Sequence, residues 1–186
     1  MKVSFIGLGV MGYPMSGHLI SKNNGLEVKV YNRSIQKTEK WVSEFNGILT
    51  KTPAEAAENS DIVFMCVGND KDVDQVVRGD EGIMSSIPEN SIIVDHTTAS
   101  AKIALDLYDF CKSTKNVSFI DAPVSGGQAG AENGQLTIMV GGDEYSYKKI
   151  EPLLKSYAKN STLIGKSGSG QLAKMVNQIC IAGLLQ

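Results

Sequence analysis

Cysteine is scarce in this 186-residue chain, histidine scarcer still, and neither sign of charge dominates. The three cysteines, Cys66, Cys111 and Cys180, are an odd number and lie far apart, so they build neither a disulfide framework nor a metal cluster. Each sits in an apolar stretch, which reads as a buried thiol in a reducing, cytoplasmic setting. Of the two histidines, His18 falls within a helical pattern and reads as structural. His96 adjoins a threonine loop, where a structural role is favoured over a catalytic base. A net charge of −2 argues against nucleic acid or an anionic membrane as the main partner. No run approaches the roughly twenty apolar residues of a membrane span. The apolar stretch at residues 3–11 is broken by glycines and lacks a cleavage site, so no signal peptide is read there. Low-complexity segments and repeats are absent too, leaving one sizeable core and one domain or slightly more.

What is present begins at once. A short β-like run, Lys2 to Ile6, leads into Gly7-Leu8-Gly9-Val10-Met11-Gly12, a helical pattern through Leu19 and Ile20, a turn at Asn23-Asn24-Gly25, and a second strand, Glu27 to Tyr31. Strand, glycine loop, helix and strand are the context that gives a Gly-x-Gly-x-x-Gly match its meaning. Gly7 allows the tight turn, Gly9 lets backbone approach a pyrophosphate, and Gly12 lets the helix pack closely on the strand. The pyrophosphate then rests on unpaired N–H groups at the helix start. At the end of the second strand, where an NAD site usually carries a carboxylate for the adenosine ribose, stand Asn32, Arg33 and Ser34. A guanidinium there can pair with a 2′-phosphate. The expectation is NADP(H) preferred and NAD(H) possible, against the alternative of Arg33 as a solvated loop cation.

The same alternation continues along the chain. Ile48–Thr50 reads as a short strand, followed by a helix from Ala54 to Glu58 opened by Pro53 and capped by Thr52. Asp61–Val67 and Ser91–Asp95 are continuous apolar runs, as parallel strands covered on both faces require. Gly68-Asn69-Asp70 caps the next helix, and a later helix runs through Ile103, Leu105 and Tyr108. Val117–Asp121, Gln135–Val140 and a strand around Ser161–Ile164 follow, with a helix starting near Asp143. Repeated βα units predict an α/β fold of the Rossmann type, doubly wound with a mostly parallel sheet. Ligands then belong beyond the carboxyl ends of the strands. In the last stretch Leu172, Met175, Val176 and Ile179 form an apolar stripe, with Ile181 and Leu185 on the opposite face. A helix apolar all round is normally buried, and no sequence is left to bury it. The expected division is a dinucleotide-binding domain over residues 1–165, then residues 166–186 as the start of a connecting helix in a longer chain.

Two segments carry candidate chemistry. Ser125, Gly126 and Gly127 follow a strand and precede a helical stretch, where successive N–H groups can hold a carboxylate. An ordinary βα turn with glycines for geometry meets the same spacing, and spacing alone favours it. Lys174 shares a helix face with Asn177 and Gln178. A lone helical lysine is ordinarily a solvated cation. Sequestered beside an oxidised nicotinamide, its pKa would fall, and it could serve as general acid or base.

Three ordered motifs carry a family resemblance across essentially the whole chain. They are Gly7 to Gly12 continuing to Pro14-Met15, then Asp121-Ala122-Pro123-Val124-Ser125-Gly126-Gly127, then Gly168-x-Gly170-Gln171-x-x-Lys174-x-x-Asn177-Gln178. Together they resemble the β-hydroxyacid dehydrogenase family. The resemblance implies oxidation of a small 3-hydroxy acid or reduction of the semialdehyde, with Lys174 as acid/base and Asn177 as its partner. It implies Ser125, Gly126 and Gly127 on the substrate carboxylate, Thr97 near nicotinamide or substrate, and Val67 and Asn69 flanking the cofactor ribose. It also implies an all-helical C-terminal domain, absent from this chain and entered through residues 166–186, and a homo-oligomer, dimer or tetramer, for the full-length protein. Gln178 leans toward the semialdehyde reductases. Two alternatives stand beside this reading: an imine reductase of the same architecture, against which Lys174 argues, and a non-catalytic NADP(H)-binding module.

Overall fold

The chain alternates strand and helix throughout, in a computed structural model that describes residues 1–184. The opening unit is β1 (Lys2–Ile6), α1 (Gly12–Lys22) and β2 (Glu27–Tyr31). Next come α2 (Ile35–Phe45), β3 (Ile48–Leu49), α3 (Pro53–Ala57), β4 (Ile62–Met65), α4 (Asp70–Arg78), α5 (Ile83–Ser86) and β5 (Ile92–Asp95). The second part holds α6 (Ala101–Lys115), β6 (Ser118–Asp121), β7 (Val124–Ser125), α7 (Gly127–Glu132), β8 (Leu136–Gly141), α8 (Glu144–Leu154), β9 (Ala158–Gly165) and α9 (Ser169–Leu184).

The sheet order is β3-β2-β1-β4-β5-β6-β8-β7, with β9 also paired to β8. From β3 to β6 all pairings are parallel, which is the Rossmann order. The order reverses at β1, so a crevice opens beyond the ends of β1 and β4. Register brings the strand ends level: Ile6 lies opposite Tyr31 and Met65, Met65 opposite Asp95, and Asp95 opposite Asp121. The loops that follow therefore gather along one edge. Apolar residues fill both faces of the sheet, Phe5, Val30, Phe64 and Trp41 on one and Ile6, Val63, Met65 and Phe119 on the other. This two-sided cover is why β4 and β5 read as unbroken apolar runs.

Two features differ from the sequence expectation. Helices α2 and α5 and the two-residue strand β7 were not anticipated; α2 is held by a single buried face around Trp41, whose Nε1 donates to the Tyr13 carbonyl at 3.2 Å. Strand β8 runs antiparallel to β6 and β7 but parallel to β9, so the sheet is mostly parallel, as the sequence predicts. In α9 the apolar stripe points outward: Leu172, Met175, Val176 and Ile179 are all exposed, whereas Gln171 and Lys174 are buried. The polar face of α9 is the one applied to the sheet. Leu185 lies outside the described residues. Among the described residues no helix is long and apolar enough to cross a membrane.

Candidate active site

The glycine loop is shaped by contacts that exclude any side chain. Gly7 has φ +95°, and a Cβ there would sit 2.2 Å from the Cys66 carbonyl oxygen; at Gly12 it would sit 1.9 Å from the Gly7 carbonyl oxygen. At Gly9 a Cβ would meet nothing within 4 Å, so this backbone faces open space. Helix α1 begins with no acidic residue in its first turn and no side-chain cap, leaving its first N–H groups for an external anion. A bare, uncapped helix start behind a collision-tight glycine turn fits a dinucleotide pyrophosphate.

Around this loop lies a cleft of ≈ 760 Å³, within the range of small-molecule sites, bordered by Gly7, Gly9, Arg33, Ser34, Val67 and Asp72. Several expected cofactor residues also make hydrogen bonds within the protein. The Leu8 side chain is buried and its N–H donates to Asn32 Oδ1 at 3.0 Å, while Asn32 Nδ2 donates to the Ser34 carbonyl. Leu8 and Asn32 thus tie the glycine loop to the end of β2, which uses up the Leu8 N–H that would otherwise face the cleft. Asn69 is the N-cap of α4, its Oδ1 accepting from the N–H groups of Lys71 and Asp72. Val10 is exposed, and Met11 borders the neighbouring recess. Arg33 is 82% exposed and reaches Asp72 at 3.4 Å.

A second recess adjoins the first, because Cys66, Val67 and Gly68 line both. Its walls are Thr97, Ser125, Gly126, Gly127, Lys174 and Gln178. The Ser125 hydroxyl donates to Asn177 Oδ1 at 3.3 Å, so β7 and α9 meet across it. Gly126 and Gly127 hold φ +130° and +60°, conformations that disfavour a side chain. The structure therefore brings together the two motifs that lie nearly fifty residues apart in sequence. Lys174 is 7% exposed and has no ion-pair partner among the described residues. Its desolvation pushes the ammonium pKa below the ordinary lysine value. Such a group gives up a proton more readily than a solvated lysine.

The position of Lys174 depends on a residue that the sequence reading treated only as part of a motif. Asp121, fully buried at the end of β6, accepts from the N–H of Gly168 at 2.7 Å and of Gln171 at 2.9 Å. It caps α9 one turn before the lysine, where the helix dipole favours a negative charge. Gly141 and Gly170 are required by this clamp, since a Cβ at either would come within 2.9 Å of an Asp121 carboxylate oxygen. Gln171 adds a second tie, donating to the Thr97 carbonyl at 2.7 Å and accepting from Ala99 N–H at 3.1 Å. Thr97 is buried: its hydroxyl accepts from Val67 N–H at 3.0 Å and bonds Asp95, and its own N–H donates to Asp95 Oδ1 at 2.9 Å. The Thr97 hydroxyl is thus a brace between β4 and β5 at the recess wall.

Two buried titratable groups stand next to each other behind that wall. Burial, against the opposing hydrogen bonds from Thr97, raises the Asp95 carboxyl from 3.8 to about 7. Burial also lowers His96 from 6.5 to about 4. His96 Nδ1 lies 2.7 Å from the Ala122 carbonyl, and its Nε2 lies 2.9 Å from the Tyr157 hydroxyl. A carbonyl only accepts, so Nδ1 carries the proton and Nε2 accepts from Tyr157. With both nitrogens occupied, His96 is structural. His18 contacts the Glu132 carbonyl at 2.9 Å, linking α1 to α7.

Residues 2–165 match the model of the NAD-binding domain of 6-phosphogluconate dehydrogenase. An uncharacterized oxidoreductase of Shewanella frigidimarina is 52% identical over 100% of this chain and 62% of its own length. The 2-hydroxy-3-oxopropionate reductase of Escherichia coli is 35% identical over 98% of this chain and 61% of its own. The solved structure of the 3-hydroxyisobutyrate dehydrogenase of Mycobacterium tuberculosis superposes with a TM-score of 0.88 at 28% identity, covering 97% of this chain and 60% of that one. The chain thus spans about three fifths of the length of the curated relatives it matches. With residues 2–165 matched to it, this chain belongs to the family of the 6-phosphogluconate dehydrogenase NAD-binding domain, among relatives of the β-hydroxyacid dehydrogenase type.

Proposed function

We propose that this chain is the dinucleotide-binding and proton-transfer part of an oxidoreductase that interconverts a small 3-hydroxy acid and its semialdehyde, with NADP(H) preferred over NAD(H). The observation that carries the reading is Lys174: desolvated, unpaired among the described residues, and at the wall of a recess that shares three residues with the cofactor cleft. The bound nicotinamide supplies or accepts the hydride. In the reductive direction the Lys174 ammonium gives its proton to the substrate carbonyl oxygen, and in the oxidative direction the neutral amine takes it back. The Ser125 hydroxyl and the N–H groups of Gly126 and Gly127 receive the substrate carboxylate. Asn177 holds Ser125 and, one turn along, the lysine in orientation. Arg33, the only cation in the Asn32–Ser34 segment, supports the choice of NADP(H) by its charge toward a 2′-phosphate.

The outward apolar stripe of α9 supports a further part of the reading: an all-helical domain, joined through residues 166–186, covers that stripe and closes the recess. Homo-oligomerisation belongs to the same proposal. The test is turnover of succinic, tartronate and methylmalonate semialdehydes with NADPH and NADH by the protein that carries this chain. Lys174→Ala is expected to abolish turnover while NADPH binding stays within about twofold. Unchanged turnover refutes the role of Lys174, and equal affinity for the two cofactors refutes the preference for NADP(H).

A further inference from the structure

The carboxylate missing from position 32 is present in the cleft from another direction. Asp72 lies in the first turn of α4 and lines the same cleft as Arg33, Ser34 and Lys37. Its Oδ1 stands 3.4 Å from Arg33 Nη1, and its side chain is 27% exposed against 82% for Arg33. The fit depends on Gly68: a Cβ there would lie 2.3 Å from Asp72 Oδ2, so a side chain at 68 would push the carboxylate aside. Asn69 Nδ2, at 3.3 Å from the same oxygen, helps to hold it.

We propose that Asp72 is a specificity-determining residue: it limits how strongly the cleft prefers a phosphorylated to an unphosphorylated dinucleotide. The proposal rests on the cofactor reading of this cleft given above. Arg33 is engaged with Asp72 when no phosphate is present. A 2′-phosphate must take Arg33 from Asp72 and then lie near a carboxylate of like charge. Across roughly 5–7 Å of well-solvated cleft, that repulsion weakens binding about three- to tenfold. An unphosphorylated ribose meets no such repulsion, and its hydroxyls find in Asp72 a charged acceptor of the kind an NAD site usually places after the second strand. Together Arg33 and Asp72 let one cleft accept both cofactors, the first favouring NADPH and the second moderating that preference.

The test is fluorescence titration of the chain and its Asp72→Asn variant with NADPH and with NADH. Asparagine keeps the shape and removes the charge. The ratio of NADPH to NADH affinity is expected to rise about tenfold, through tighter NADPH and weaker NADH. Asp72→Ser, short and uncharged, is expected to shift the ratio in the same direction. Asp74→Asn, which removes an exposed carboxylate paired with Arg78 on the same helix, is expected to leave it within twofold. A ratio unchanged within twofold in Asp72→Asn, a shift toward NADH, or an equal shift in Asp74→Asn overturns the proposal. A fall of that ratio in Arg33→Ala tests Arg33, and its rise in Asp72→Asn tests Asp72, so the two readings fail separately.

Discussion

Replacing Asp95 by Asn separates two proton linkages that oppose each other in the parent protein. In the folded chain the Asp95 carboxyl is raised from 3.8 to about 7, so the folded state holds a proton that the unfolded state has released. Its contribution to stability is complete below about pH 4 and is lost as pH rises toward 7. A rise of about three units, at about 1.4 kcal/mol each, makes this loss roughly 4 kcal/mol. His96 works the other way. Lowered from 6.5 to about 4, it contributes above pH 6.5 and loses roughly 3 kcal/mol as pH falls to 4. Between pH 4 and 6.5 the two slopes nearly cancel. In Asp95→Asn the His96 slope remains alone, and in His96→Gln the Asp95 slope remains alone.

Urea unfolding followed by the fluorescence of Trp41, the single tryptophan and fully buried, reads this directly between pH 4.5 and 8.5. The stability of Asp95→Asn relative to the parent is expected to improve steadily up to about pH 7 and then level off. Parallel curves for the two proteins would refute the reasoning, because they would mean that Asp95 ionises in the folded chain as it does in water.

Asp121→Ala leaves the buried N–H groups of Gly168 and Gln171 without an acceptor. At about 1–3 kcal/mol each, the expected loss is roughly 3 kcal/mol, or about 6–12 °C in Tm by calorimetry; a loss below about 1 kcal/mol would show that α9 is held elsewhere. Asn32→Ala removes the acceptor of Leu8 N–H. Affinity for NADPH and NADH is expected to fall by the same factor, since the glycine loop loosens for both; an effect on NADPH alone would give Asn32 a direct role at the 2′-phosphate.

The glycine motif, the apolar runs of β4 and β5 and the cap at Thr52 were legible in the sequence because each rests on local chemistry. Gly7 and Gly12 exclude side chains by contacts within or beside their own βα unit, and the two-sided burial of β4 and β5 leaves its trace in every residue. Asn32, Asn69 and Thr97 were legible as polar groups at strand ends, but their hydrogen-bond partners were not. A side-chain oxygen at a strand end serves a ligand or a neighbouring N–H equally well in sequence. Here the backbone of Leu8, Lys71 and Val67 took those oxygens.

Composition and spacing by themselves determined the α/β class, the nucleotide loop and the candidate lysine, since periodicity and glycine placement are properties of adjacent residues. Tertiary structure alone decided which face of α9 meets the sheet. Apolar content would have turned Leu172 and Met175 inward, but the buried Asp121 carboxylate fixes the helix start through its N–H groups and turns Gln171 and Lys174 inward instead. It alone also placed Asp72 opposite Arg33, because two charges thirty-nine residues apart meet only when β2 and β4 end at the same edge of one sheet.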